Sequence, residues 1–132
     1  PVGRRRPRGT GALGRDPLVI KETQIGTIYG LVNLMDAAAI SAGRIDVPVL
    51  LLYGAHDEIV PQPPVAEALA DMRRAGVDVT AACYPNGYHM LLRDLERKSV
   101  WKDIASWLAD PRTPLPSGAE DLKPCASMAA AR

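Results

Sequence analysis

The chain has 132 residues, 47% of them hydrophobic and 23% charged, with a formal charge of +1 at pH 7. This fits one soluble globular domain or a piece of a larger one, and so small a net charge points to no particular partner, nucleic acid included. The two cysteines, Cys83 and Cys125, have no CxxC spacing, which argues against a disulfide scaffold and for a reducing compartment.

Residues 1–15 crowd Arg4, Arg5, Arg6, Arg8 and Arg15 among glycine and proline without a hydrophobic period, so a disordered, solvated arm is expected there. From Thr23 onward Ile25, Ile28, Tyr29, Val32, Met35 and Ala39 recur at three- and four-residue steps, which predicts a helix with one apolar face that Gly43 can end. Val47 to Tyr53 (VPVLLLY) is an unbroken apolar run of strand length, expected in the interior of a parallel sheet with helices on both faces. It is far too short to cross a bilayer, and the N-terminus shows no secretion signal, so a cytoplasmic location is the default.

Gly54 breaks that strand, and a polar loop carries His56, Asp57 and Glu58. Pro61, Pro63 and Pro64 lead into a helix expected over about 65–74, with Val65, Ala68, Leu69 and Met72 on one face and Gly76 stopping it. Val77, Val79, Ala81 and Cys83 alternate with Asp78, Thr80 and Ala82, the pattern of a strand nearer a sheet edge. Pro85, Asn86 and Gly87 turn the chain toward Tyr88 and His89, and Leu95, Trp101, Ile104, Ala105 and Leu108 mark a last amphipathic helix. Residues 111–132 contain three further prolines after Pro111 and are expected to form a flexible tail that adds little to a core.

The order helix, strand, helix, strand, helix predicts an α/β fold with a parallel sheet over residues 16–110. Two strands do not make a stable sheet alone, so the chain reads as part of a fold. In such sheets reacting groups gather on the loops after the strands. Asp57 and His89 occupy two such loops, 32 positions apart, and a right-handed crossover brings both loops to one rim. An aspartate that orients an imidazole is the second half of a Ser-His-Asp triad, and Ser, Asp, His is the chain order of one hydrolase architecture. The blander reading makes Asp57 a turn residue and His89 a satisfied loop histidine.

Three stretches resemble the C-terminal half of α/β-hydrolases of the monoacylglycerol lipase and lysophospholipase group: DPLVIKETQIGTIYGLVNLMDAA, VPVLLLYGAHDEIVP and YPNGYHMLLRD. The first is similar to the exit from the helical cap and the helix returning to the sheet. The second resembles the loop of the triad acid and the third the histidine loop, which implies those roles for Asp57 and His89. The resemblance implies a lipid or small acyl ester as substrate of the parent enzyme, no metal and no organic cofactor, with peripheral membrane contact left open.

The family's serine elbow is expected upstream of residue 1. Ser41 follows a helix, Ser99 and Ser106 fall on the last helix, and Ser117 and Ser127 lie in the tail, so none reads as the nucleophile. Cys83 reads as an inert core thiol. The expectation is a remnant that is inactive alone. The alternative is a non-catalytic half-domain that binds a partner, or forms an oligomer, through an open strand edge. A flavodoxin-like domain ranks last, since no nucleotide-binding glycine motif is present.

Overall fold

The computed structural model describes residues 15–20, 22–120 and 125. Most of the expected arm (1–14) and much of the expected tail (121–124 and 126–132) lie outside the described residues. The elements are α1 (Ile25–Ser41), extended by a 3₁₀ turn over Ala42–Arg44, β1 (Val49–Gly54), α2 (Gln62–Arg74), β2 (Val79–Tyr84), a 3₁₀ turn over Leu91–Arg93, and α3 (Arg97–Ala109). The strands pair in parallel, from Val49 beside Val79 to Gly54 beside Tyr84.

Successive side chains of a strand point to opposite faces, and the core divides accordingly. Leu51 and Tyr53 pack on one face with Ala66 and Leu69 of α2 and with Ala81 and Cys83. Leu50 and Leu52 pack on the other with Val100, Ile104 and Trp107 of α3 and with Ala82 and Tyr84. The result is a parallel βαβ unit covered by a helix on each face.

α2 begins earlier than expected, at Gln62, because Pro63 and Pro64 fit its first turn. The amides they lack would find no partner inside the helix there. Its other end is a Schellman motif: Gly76, at φ +81°, donates its amide to the Arg73 carbonyl, and the Val77 amide reaches Met72.

Five expectations are corrected. α1 forms, but its apolar face is left uncovered among the described residues: every residue from Ile25 to Ser41 is exposed, and Ile25 is 85% so. With its 3₁₀ extension this helix has 20 residues and is long and apolar enough to span a bilayer by length and composition, a test that core helices also pass. β2 is the better covered strand, with Ala81 to Tyr84 all buried, because the Cys83 amide bonds the Ala119 carbonyl at 2.8 Å along its outer side. That contact draws Leu115 and Ala119 into the core, contrary to a tail that adds little to it. On α3 the buried positions are Val100 and Asp103, whereas Trp101 and Leu108 are exposed and Leu95, expected on this helix, is exposed ahead of its first residue. A charged residue at the centre of the buried face defeats a reading by hydrophobic period. Finally, Cys83 and Cys125 are paired as a disulfide with Cα atoms 6.1 Å apart, overturning the expectation of unpaired cysteines.

Asp103 is fully buried and its charge is met by three donors. The Tyr84 hydroxyl donates to Oδ2 at 2.8 Å, the Ser117 amide to Oδ1 at 3.0 Å, and the Ser117 hydroxyl also to Oδ2. A buried carboxylate is tolerated only when so satisfied. Burial, then the hydrogen bond to Asp103 and its charge, push the Tyr84 hydroxyl pKa far above its ordinary value. This network joins α3, β2 and the segment after α3.

Candidate active site

The loops after β1 and β2 leave the same rim of the sheet, and their backbones are tied together. The Ala55 amide donates to the Tyr84 carbonyl at 3.0 Å and the His56 amide to the Gly87 carbonyl at 2.9 Å. Gly54 and Gly87 lie against each other at the crossing. A side chain at Gly54 would meet the backbone of Gly87 and Tyr88 and push the two loops apart, and one at Gly87 would run into the Leu91 side chain.

Asp57 and His89 meet beyond that crossing. Asp57 Oδ2 lies 3.0 Å from His89 Nδ1. The other carboxylate oxygen, Oδ1, accepts the amides of Ile59 at 2.9 Å and Val60 at 3.0 Å. Burial of the Asp57 carboxyl works to raise its pKa. The Val60 amide, the His89 hydrogen bond, the Ile59 amide and the histidine's charge together outweigh it, and the net pKa is below the ordinary carboxylate value. The Asp57 side chain is 8% exposed and that of His89 37%, so a shielded acid supports an accessible imidazole. With Nδ1 engaged by the acid, Nε2 is the ring nitrogen left for proton transfer.

Tyr53, next to Gly54, donates its hydroxyl to the Val60 carbonyl at 2.8 Å and closes the acid loop over its base. Burial, and then the nearby Asp57 charge, raise the Tyr53 pKa and keep this donor protonated. The turn role considered for Asp57 and the acid role are therefore not exclusive: one oxygen makes the turn while the other holds the imidazole.

His56 forms no dyad with Asp57; its exposed ring lies 5.4 Å from that of Tyr88, tilted by 31°. Glu58 is exposed. His89 borders an apolar cavity of about 510 Å³ lined by Leu52, Met90, Leu91, Leu92, Arg93 and Ile104. Tyr29, Leu34 and Met35 of α1 are exposed and absent from that lining. Among the described residues no group of histidine, cysteine, aspartate and glutamate side chains could hold a metal ion.

The sequence pattern of the family described as serine aminopeptidase, S33, matches residues 3–96. The chain belongs to that family. The match starts within the arginine-rich run instead of at residue 16 and ends just before α3. Membership of the S33 family makes the parallel βαβ unit part of an α/β-hydrolase fold, as expected from the sequence. A monoacylglycerol lipase of Mycolicibacterium smegmatis is 30% identical over 105 residues, which is 79% of this chain and 37% of that protein. This S33 chain therefore spans little more than a third of the curated relative's length. It is related to hydrolases of the lipase and esterase type.

Two features of the site went unread in the sequence. Gly54 and Gly87 were visible as turn residues, but their mutual contact is a tertiary fact with no local signal. Asp94, at the end of YHMLLRD, is buried beneath the histidine loop, although five residues beyond His89 it reads as an ordinary loop charge.

Proposed function

We propose that this chain supplies the acid and the base of a carboxylic-ester hydrolase acting on lipid or small acyl esters. Asp57 orients the His89 ring and stabilises the imidazolium. His89 takes the proton from a serine hydroxyl as it attacks the ester carbonyl and returns it to the leaving alkoxide, and water then releases the acyl group by the reverse sequence. The observation that carries this reading is the 3.0 Å contact between Asp57 Oδ2 and His89 Nδ1 on a carboxylate whose other oxygen is already fixed by two backbone amides. The monoacylglycerol lipase relative supports the choice of a lipid ester.

The attacking serine comes, on this reading, from outside these 132 residues. Among the described serines, Ser41 ends α1, Ser99 and Ser106 lie within α3, and Ser117 is bound to Asp103. None follows a strand on a turn into a helix, the setting of a nucleophile elbow. The chain alone is then without esterase activity.

The pairing is tested on the neutral His89 imidazole by ¹⁵N nuclear magnetic resonance. Asp57 as orienting acid requires the Nδ1–H tautomer in the wild type and a shift toward Nε2–H in Asp57→Ala. An unchanged tautomer ratio in the variant would remove the acid–base reading.

A second reading is favoured by one observation: among the described residues β1 has a strand partner on one side only. A non-catalytic half-domain would pair that open edge with another chain. It predicts a defined oligomer by sedimentation, where a lone hydrolase fragment would be monomeric or aggregate.

A further inference from the structure

His89 is held at two levels. Asp57 holds the ring, and the backbone under the ring is held by Asp94, a carboxylate only 7% exposed. Asp94 Oδ2 accepts the amide of Tyr88, the residue just before His89, at 3.1 Å. Its Oδ1 accepts the Leu95 amide at 2.6 Å. Its backbone carbonyl accepts the Arg97 amide at 3.3 Å and the Arg97 guanidinium at 3.2 Å, at the first residue of α3. Asp94 thus joins the start of the histidine loop, through its side chain, to the first residue of α3, through its backbone carbonyl.

The chemistry of this position calls for a carboxylate. Two amides approach two separate oxygens, and an asparagine offers only one acceptor oxygen. A further side-chain contact on the loop, from Asn86 Nδ2 to Glu96 Oε1 at 3.2 Å, lies in exposed surroundings. Where a general base must keep its distance to a proton, a displacement of about 1 Å costs on the order of a hundredfold in rate.

We propose that Asp94 is a positioning residue for His89, acting through the Tyr88 amide to hold the imidazole against Asp57. The inference rests on the acid–base reading of Asp57 and His89. Asp94 touches no reacting atom; it sets the backbone from which the base extends.

The test uses the full ¹⁵N-labelled chain and reads two quantities: the neutral tautomer ratio of His89 and the exchange rate of the Tyr88 amide. Asp94→Asn, which keeps the shape and loses one acceptor, and Asp94→Ala are compared with Leu115→Ala, which loosens the core but removes no hydrogen bond from the loop. The Asp94 variants are expected to shift the ratio toward Nε2–H by about tenfold and to speed Tyr88 exchange by a similar factor, the usual weight of a charge-assisted hydrogen bond. Leu115→Ala should leave the ratio unchanged. A folded Asp94→Asn with wild-type ratio and exchange overturns the proposal, and this variant decides the matter if Asp94→Ala fails to fold. Asp57→Ala separates the two levels. If it shifts the ratio while Asp94→Asn does not, the positioning role fails alone; if it has no effect, the acid–base reading fails and takes this inference with it.

Discussion

Gly54 and Gly87 approach so closely that a Cβ built on Gly54 would stand 2.6 Å from both the carbonyl carbon and the oxygen of Gly87. These two glycines let the acid loop and the histidine loop share one rim of the sheet. Since the obstructing atoms are backbone, they cannot rotate out of the way. Gly54→Ala should destabilise the chain by about 2 kcal/mol, within the usual range for overpacking, and weaken the contact between Asp57 and His89. By contrast, Gly30→Ala in α1 meets nothing within 4 Å and should stabilise by about 0.5–1 kcal/mol through helix propensity. Urea denaturation of both variants checks the opposite signs.

The depressed pKa of Asp57 makes stability depend on pH in a defined direction. The unfolded chain binds the proton more readily than the folded one, so the carboxylate's contribution is complete above the ordinary aspartate range. It is lost as pH falls through the lower folded value. Asp57→Ala should cost about 2 kcal/mol at pH 7 and show a shallower loss of stability on acidification, because the hydrogen bonds to a charged acceptor are gone. Parallel melts from neutral to acidic pH measure this; identical slopes would contradict it.

Asp103 should be among the costliest polar positions to alter. Asp103→Ala strands the Tyr84 hydroxyl and both Ser117 donors, with an expected loss of about 3 kcal/mol. Tyr84→Phe removes one donor from a carboxylate that retains two, and should cost less, about 1.5 kcal/mol. A double-mutant cycle should find the two losses coupled, since they share one hydrogen bond.

The parallel βαβ unit was legible because its strands and helices rest on local signals. VPVLLLY and the alternation from Val77 to Cys83 announce strands, although β1 runs on through Gly54 and β2 begins only at Val79, and the loops after them carry Asp57 and His89. The unread parts are non-local. Trp107 is anchored by a 3.2 Å bond from its indole nitrogen to Thr80, while Trp101 lies exposed with the Arg97 guanidinium 5.5 Å from its ring; helical period alone does not separate them. Leu115 and Ala119 enter the core because Ser117 bonds Asp103 and Ala119 extends the outer side of β2, in a segment whose prolines suggest only a tail. The apolar residues of α1 did predict a helix, but a stripe of side chains carries no record of what should cover it.

Reduction provides a further check. A disulfide between Cys83 and Cys125 closes a loop across a sequence separation of 42, and chain entropy gives it a stabilisation of about 4 kcal/mol. Dithiothreitol should therefore lower the urea midpoint substantially, and the unreduced, denatured chain should show no thiol reactive toward a maleimide. Two reactive thiols would contradict the pairing.

The proposed division, with acid and base in this chain and the nucleophile elsewhere, makes one direct demand on activity. It is tested most directly by turnover of a nitrophenyl acyl ester by the purified chain, beside His89→Ala. The account predicts a rate at solvent background that the substitution does not change. Turnover above background that His89→Ala abolishes would mean that a nucleophile is present within these 132 residues, and would contradict it.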